Sequence, residues 1–231
     1  MTSAAPESRG SSENRGQTPI SRTDPGSPRS FPAPASPLCR SFAPACAADA
    51  RVLVLGSMPG AASLAAAEYY AHPRNAFWPI MGALFGTGPE LPYRERLQGL
   101  NAAGVALWDV IASCARAGSL DSAITPASVV ANDFAQLFRD CPRIGHVFFN
   151  GAAAEAAFHR HVRGRVALPA LHFTRLPSTS PAHAARNFAA KLEAWQAVKA
   201  AAAVERAIEP ARAARQASAT LTDRPSATQA L

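Results

Sequence analysis

Four short apolar runs, each closed by a polar or turn-forming residue, are spaced through the middle of the chain. The runs cover residues 51–56, 105–109, 146–150 and 171–176. Patterns of helical periodicity separate them, at residues 76–85, 92–99, 128–139 and 152–161. Because short buried strands that alternate with helices assemble into a sheet covered on both faces, we predict an α/β fold. The predicted architecture is a three-layer α/β/α sandwich with a central, mostly parallel four-stranded sheet.

Composition divides the chain into a central domain and two tails. Residues 1–50 are rich in Pro and Ser and poor in large apolar side chains, so they bury too little surface to offset the entropy of ordering. We predict a disordered tail there, and an Ala-rich, mostly disordered tail at residues 201–231. The domain between them, residues 51–200, closes with an apolar helical set formed by Phe188, Leu192 and Trp195.

The chain has 23 Lys and Arg against 16 Asp and Glu, a formal net charge of +7. This balance favours association with a polyanion, although a soluble enzyme from an Arg- and Ala-rich proteome would have the same balance. Long apolar runs and a signal-peptide stretch are absent from the sequence, so we expect a cytoplasmic protein that does not contact a membrane. The four cysteines form no CxxC pair, which predicts reduced thiols and argues against a metal site.

Polar or turn-forming residues follow all four predicted strands. The run Gly56-Ser-Met-Pro-Gly60 follows the first, Asp109 closes the second, Asn150 closes the third, and Pro177-Ser-Thr-Ser-Pro181 follows the fourth. In parallel sheets, ligands bind beyond the carboxyl ends of the strands. We therefore expect these four groups of residues to form one site on one edge of the sheet.

The most specific motif lies between residues 56 and 78. It consists of Gly56-Ser-Met-Pro-Gly60, then Ser63-Leu64, then Tyr69-Tyr-Ala-His-Pro-Arg-Asn-Ala-Phe-Trp78. This combination resembles the uracil-DNA glycosylase superfamily, most closely its mismatch-specific and hypoxanthine glycosylase branches, over about residues 51–196. The resemblance implies a monofunctional hydrolase of base excision repair that releases a deaminated base from DNA. It implies no metal or organic cofactor and no protein partner, and we expect a monomer.

One position departs from the mismatch-specific branch. That branch has GxNPG at the turn, where its Asn positions the attacking water, whereas this chain has Met58. A thioether offers no comparable hydrogen bond. The hypoxanthine branch also lacks that Asn and is similar in carrying the motif HPxNxFW, which implies that Asn75 is the catalytic residue and that deoxyinosine is the substrate. Asn75 has a simpler interpretation as a helix N-cap.

Six residues are predicted to bind the extruded base. The small residues Gly56 and Ser57, with Met58, would let the base approach the backbone, and Tyr70 would stack on its face. Asp109 occupies the position where relatives often have a base-reading Asn, and its carboxylate can accept from N1–H of hypoxanthine or N3–H of uracil. Asn150 would make a second contact. Asp109 and Asn150 have the alternative interpretation of turn residues.

Six further residues are predicted to bind DNA. They are His72 and Arg74 in the motif, and Ser178, Thr179, Ser180 and His183 after the fourth strand. The hydroxyls would alternatively cap a helix that begins near Ala182, and the two histidines would alternatively be structural or surface residues. Many relatives have a His at the position of Leu176, so this chain lacks a group that stabilises the departing base.

Three alternative functions stay open at this point. One is a mismatch-specific uracil or thymine glycosylase of the same fold. Another is a DNA-binding protein of this fold with little activity, which Met58 and Leu176 favour. The third is an unrelated α/β hydrolase that uses Ser57 or Ser180, although the chain has no GxSxG motif.

Overall fold

The computed structural model describes residues 36–222, so the predicted tails lie outside the described residues at 1–35 and 223–231. In chain order the elements are β1 (Leu38–Arg40), β2 (Val52–Gly56), α1 (Ala61–Ala66), α2 (Phe77–Phe85), α3 (Tyr93–Ala102), β3 (Val105–Asp109), β4 (Ile111–Ala115), β5 (Val130–Ala131), α4 (Phe134–Asp140), β6 (His146–Asn150), α5 (Ala152–His161), β7 (His172–Leu176) and α6 (Phe188–Thr222). Short 3-10 turns cover Asp121–Ala123 and Pro126–Ser128. No helix among the described residues is long and apolar enough to cross a bilayer.

The main sheet has four parallel strands in the order β3-β2-β6-β7. Side chains alternate along β2, so that Leu53 and Leu55 pack against α4 and α5 while Val52 and Val54 pack against α2, α3 and α6. Both faces of the sheet are therefore covered by helices. The predicted three-layer α/β/α sandwich is confirmed, and all four predicted strands are present.

A second, antiparallel sheet was not predicted. It has the order β1-β4-β5, and β1 comes from the segment that composition assigned to a disordered tail. The prediction is wrong for residues 36–50, because the N–H of Ser41 donates to the carbonyl of Ala112 and Ala45 forms a bridge with Leu107. At the other end α6 runs to Thr222, so the predicted change of structure at residue 200 is also wrong.

The helix predicted at residues 128–139 is wrong in its first half. Val130 lies in β5 and is 57% exposed, so it does not share a buried helical face with Phe134. The helix begins at Phe134 because the side chain of Asp133 accepts from the N–H of Gln136 and caps it. The apolar periodicity therefore begins several residues before the helix does, and the capping residue Asp133 marks the actual start.

Two of the four cysteines lie next to each other in the fold. Cys46, ahead of β2, faces Cys141, which follows α4, with Cα atoms 7.3 Å apart, whereas Cys39 and Cys114 are free thiols. Close spacing in sequence is the usual sign of paired cysteines, and these two are 95 residues apart. Only the packing of the N-terminal segment on the main domain brings them together.

Candidate active site

A cavity of about 640 Å³ opens at the carboxyl ends of the parallel strands. Its walls come from the turn after β2, the motif before α2, the end of β3, the β6–α5 junction and the loop after β7. All the predicted site residues except Gly56 line it: Ser57, Met58, Tyr70, His72, Arg74, Asn75, Asp109, Asn150, Ser178, Thr179, Ser180 and His183. The structure therefore brings residues from all four strand ends together around one cavity, and that they form one binding site stays a prediction.

Gly56 stands directly behind the cavity wall. A Cβ atom at this position would collide with the carboxylate of Asp109 and would lie 3.3 Å from the hydroxyl of Tyr70. The next residues, 57–60, turn away from the sheet, and the carbonyl oxygens of Gly56 and Ser57 accept from the N–H groups of Val110 and Ile111. Glycine is required here because Asp109 and Tyr70 approach the backbone so closely.

Asp109 is a buried carboxylate at the centre of the site, with 3% of its surface exposed. Its Oδ2 accepts a hydrogen bond of 2.9 Å from the hydroxyl of Ser41. Burial is the main cause that raises the pKa of Asp109, to about 7, and the negative charge of Asp121 adds to the rise. The hydrogen bond from Ser41 and then the positive charge of Arg116 oppose it. Asp109 therefore changes charge near neutral pH, as groups at functional sites often do.

Tyr70 is held in a backbone conformation that non-glycine residues rarely adopt, with φ of 55°. Its ring stacks on Phe77 with centroids 4.0 Å apart. Burial and then the carboxylate of Asp109 raise the pKa of its hydroxyl, and Asn150 opposes the rise. This geometry makes Tyr70 a fixed aromatic wall of the cavity. Stacking on a base stays a prediction.

Asn75 lies one residue before Ala76, which is the N-cap of α2, so Asn75 is not the N-cap residue itself, although its side chain binds the first N–H of the helix as a cap would. Its Oδ1 accepts from the N–H of Phe77 at 3.0 Å, and its own N–H donates to the carbonyl of His72 at 2.8 Å. Within residues 36–222, no protein acceptor takes up its Nδ2 amide. The cap thus fixes the side chain and leaves a free donor on a residue that lines the cavity. Capping and the predicted catalytic role are compatible.

Asn150 is engaged with the loop after β7. Its Nδ2 donates to Thr179 Oγ1 at 2.9 Å, and its Oδ1 accepts from the N–H of Thr179 at 2.8 Å. Thr179 is buried, and its carbonyl accepts from the N–H of Ala76. The pair therefore joins β6 to that loop, and the loop to the motif before α2. This structural role leaves Asn150 less hydrogen-bonding capacity for the base contact that was predicted.

Five of the six residues predicted to bind DNA are partly or fully exposed where they line the cavity, whereas Thr179 is buried. His72 Nδ1 accepts from the N–H of Arg74, so the neutral ring carries its proton on Nε2, while Arg74 and His183 are exposed. Ser178 and Ser180 form local turns with the N–H groups two residues ahead. The alternative in which these hydroxyls cap a helix at Ala182 is wrong. That helix, α6, begins at Phe188, and Asn187 caps it by accepting from the N–H of Ala190.

Three contacts beside the cavity were not predicted from the sequence. All of them involve the segment that follows β4. Arg116, which is fully buried, donates to the carbonyl of Pro59. The hydroxyl of Ser119 accepts from the N–H of Ala61 at 2.9 Å, and the hydroxyl of Ser57 donates to Asp121 Oδ1 at 2.7 Å. Residues 116–121 therefore hold the turn after β2. Each contact joins positions about 60 apart, so no motif could have indicated it.

Comparison with known proteins places this geometry in context. The sequence profile of the uracil DNA glycosylase superfamily matches residues 43–199. A hypoxanthine DNA glycosylase from Methanosarcina barkeri is 34% identical over 113 residues, which is 48% of this chain and 70% of that protein. A hypoxanthine DNA glycosylase from Methanosarcina acetivorans is 32% identical over 152 residues, which is 65% of this chain and 90% of that protein. The solution NMR structure of a candidate uracil DNA glycosylase from Methanosarcina acetivorans superposes with a TM-score of 0.57 at 29% identity, and the match covers 74% of this chain and 99% of that one.

Proposed function

Since the chain belongs to the uracil DNA glycosylase superfamily and is a DNA glycosylase, we propose that it removes hypoxanthine from deoxyinosine in DNA, with uracil as a second substrate. The observation that carries this proposal is one cavity that joins Asn75 to the buried carboxylate Asp109, in a chain with Met58 at the turn. Similarity to two proteins named hypoxanthine DNA glycosylases supports the choice of base.

Asp109 recognises the base through Oδ1, the carboxylate oxygen that does not bind Ser41. Ser41 donates to Oδ2, whereas none of residues 36–222 donates to Oδ1, and Asp109 lines the cavity. The extruded base enters the cavity, Tyr70 covers one face, and Asp109 Oδ1 accepts from the base N1–H. Because an ionised carboxylate accepts more strongly than the protonated acid, this contact is strongest in the charged form of Asp109.

The chemistry rests on positioning and on electrostatic stabilisation. The free amide of Asn75 donates to the oxygen of a water molecule and holds it beside the sugar. The bond between C1′ and the base breaks, the base takes the electron pair as an anion, and the water oxygen attacks the cationic sugar carbon. DNA phosphates stabilise that cation, while His72, Arg74 and the hydroxyls of Ser178 and Ser180 hold the DNA backbone.

Release of the base from defined oligonucleotides tests the proposed function. Duplex and single-stranded substrates carry inosine, uracil or a G·T mismatch, and alkaline cleavage detects the abasic site. We expect inosine to be processed fastest. Faster release of uracil or thymine from mismatches would instead identify a mismatch-specific enzyme. Tight binding of DNA without any cleavage would identify a binding protein.

The excision rate should depend on pH with an acid limb near neutrality. The pKa of Asp109 is raised to about 7, and its ionised form is the stronger acceptor for the base N1–H, so the rate should rise with pH through this value and level off above it. Single-turnover rates measured between about pH 5 and 9 at constant ionic strength provide the check. A flat profile across neutrality would contradict the role given to ionised Asp109.

Replacement of Met58 by asparagine should widen the substrate range. Met58 is 6% exposed and lines the cavity at the position where the mismatch-specific branch has its water-positioning Asn. An added polar group there should raise uracil release relative to hypoxanthine release on the order of tenfold, with some loss of stability because a polar group is buried. Met58→Leu is the matched control and should leave the ratio unchanged. An unaltered ratio in Met58→Asn would argue that the turn does not reach the sugar.

A further inference from the structure

The cavity contains a second carboxylate, which belongs to no motif. Asp121 begins the 3-10 turn after β4 and lines the cavity. Its Oδ1 accepts a hydrogen bond of 2.7 Å from the hydroxyl of Ser57, the residue that precedes Met58. The carboxylate of Asp121 therefore lies beside the turn after β2, where Met58 replaces the Asn of the mismatch-specific branch.

The segment that carries Asp121 is fixed at several points. Arg116 bridges the carbonyls of Pro59 and Gly118, and Ser119 accepts from the N–H of Ala61. The base of the loop is closed by a bridge between Arg116 and Ile124. A group held this firmly needs little reorganisation during a reaction, which is the arrangement that makes electrostatic catalysis effective.

The roles given so far to the other polar groups of the cavity do not include accepting the proton of the attacking water. The N–H of Phe77 binds Asn75 Oδ1, so the free group of Asn75 is a donor, which can hold a water oxygen but cannot take a proton. Asp109 is engaged by Ser41 and faces the base. Among the carboxylates that line the cavity, Asp121 is the one without an assigned task.

We propose that Asp121 is a catalytic residue that accepts a hydrogen bond from the attacking water and takes its proton as the C1′–O bond forms. This inference rests on the proposed glycosylase chemistry. The bond between C1′ and the base breaks with its electron pair on the base, the water oxygen bonds to C1′, and the water proton passes to Asp121 and then to the departed base or to solvent. Asp121 supplies, from another segment, the polar group that the turn lacks at Met58.

The charges around Asp121 are consistent with a proton acceptor. Although the residue is exposed as a whole, its carboxyl turns inward and loses solvation, which raises its pKa, while Ser57 and Arg116 oppose the rise. Asp109, His72, Arg74 and His183 also line the cavity. A carboxylate more basic than usual is a better acceptor for a water proton.

Asp121→Asn separates a catalytic role from a structural one. The amide keeps the size of the side chain and an oxygen that accepts from Ser57, but it loses charge and basicity. We expect the single-turnover excision rate to fall about 100-fold, within the range for general acid–base groups. Binding to uncleaved DNA should be unchanged or tighter because a negative charge is removed. Asp140→Asn, at the exposed end of α4, removes the same charge outside the cavity and should alter neither quantity.

A second variant tests proton acceptance directly. Asp121→Ala should be as slow as Asp121→Asn, and added formate should restore part of its rate, as a small carboxylate enters the space left in the cavity. An Asp121→Asn rate within about threefold of wild type overturns the proposal, as does a fall in rate matched by an equal fall in DNA affinity. So does the absence of rescue by formate.

The substrate for this comparison is whichever base the wild-type protein releases. Failure of the hypoxanthine assignment would therefore appear in the wild-type substrate panel, whereas failure of the Asp121 assignment would appear in the variants. If the wild-type protein released no base from any substrate, both the proposed function and the role of Asp121 in it would be rejected.

Discussion

Replacing Asn75 by aspartate is expected to slow single-turnover base excision about 100- to 1,000-fold, the usual cost of losing one positioned donor in a polar active site. The isosteric carboxylate keeps the oxygen that accepts from the N–H of Phe77, so the start of α2 remains capped. It lacks the Nδ2 amide, which is the group left free to hold the attacking water. The measurement is the rate of abasic-site formation from an inosine duplex with enzyme in excess.

Two controls separate catalysis from capping in this experiment. Asn75→Ala removes both the cap and the amide, and it should be as slow as Asn75→Asp but also less stable. Asn187→Ala removes the side-chain cap at the start of α6 and should cost about 1 kcal/mol of unfolding free energy without an effect on rate. If Asn75→Asp excises at the wild-type rate, Asn75 is only a cap and the water is held elsewhere.

Asp109→Asn is expected to lower kcat/KM for inosine about 10- to 100-fold, as a hydrogen bond to a charged acceptor is lost. The substitution keeps the volume of the buried side chain and a partner for Ser41. It removes the charge and one of the two acceptor oxygens, so the base N1–H meets a weaker acceptor or a competing donor. The same variant should lose the acid limb that Asp109 imposes near pH 7 on the wild-type profile.

Ser41→Ala is the matched control for this second experiment. It leaves the carboxylate in place but removes the hydrogen bond that holds the pKa of Asp109 down. The acid limb should therefore move to higher pH, and the rate should recover once Asp109 is ionised. A limb that persists in Asp109→Asn together with a lowered kcat/KM would assign that titration to another group such as Asp121, whereas an unchanged profile with an unchanged kcat/KM would contradict base reading by Asp109.

Local patterns were sufficient to predict the framework of the fold. The strands Val105–Asp109 and His146–Asn150 have the bounds that their apolar runs predict, because a strand buried on both faces needs consecutive apolar residues. The convergence of the four strand ends followed from the parallel arrangement alone. Apolar spacing gave one wrong prediction, in which Val130 belongs to a helix. The residue lies in a strand instead.

The hydrogen bonds that position the cavity's side chains could not be predicted from the sequence. Ser41 comes from a Pro- and Ser-rich segment and bonds to Asp109, 68 residues away, while Asp121 meets Ser57 across 64 residues. Single hydrogen bonds between distant positions leave no periodicity and need no particular neighbours, so nothing in the local sequence reports them. The proximity of Cys46 to Cys141 could not be predicted for the same reason.

The sequence by itself determined the parallel sheet, the edge where the site lies and the motif from Gly56 to Trp78 that identifies the superfamily, because these depend on consecutive or periodic residues. Only the tertiary structure decided how the site is completed. It brought Ser41 to one oxygen of Asp109, left the Asn75 amide free by capping its oxygen, and set Asp121 beside the turn with Met58. Those arrangements depend on where separate segments pack against one another, and packing is a property of the whole folded chain.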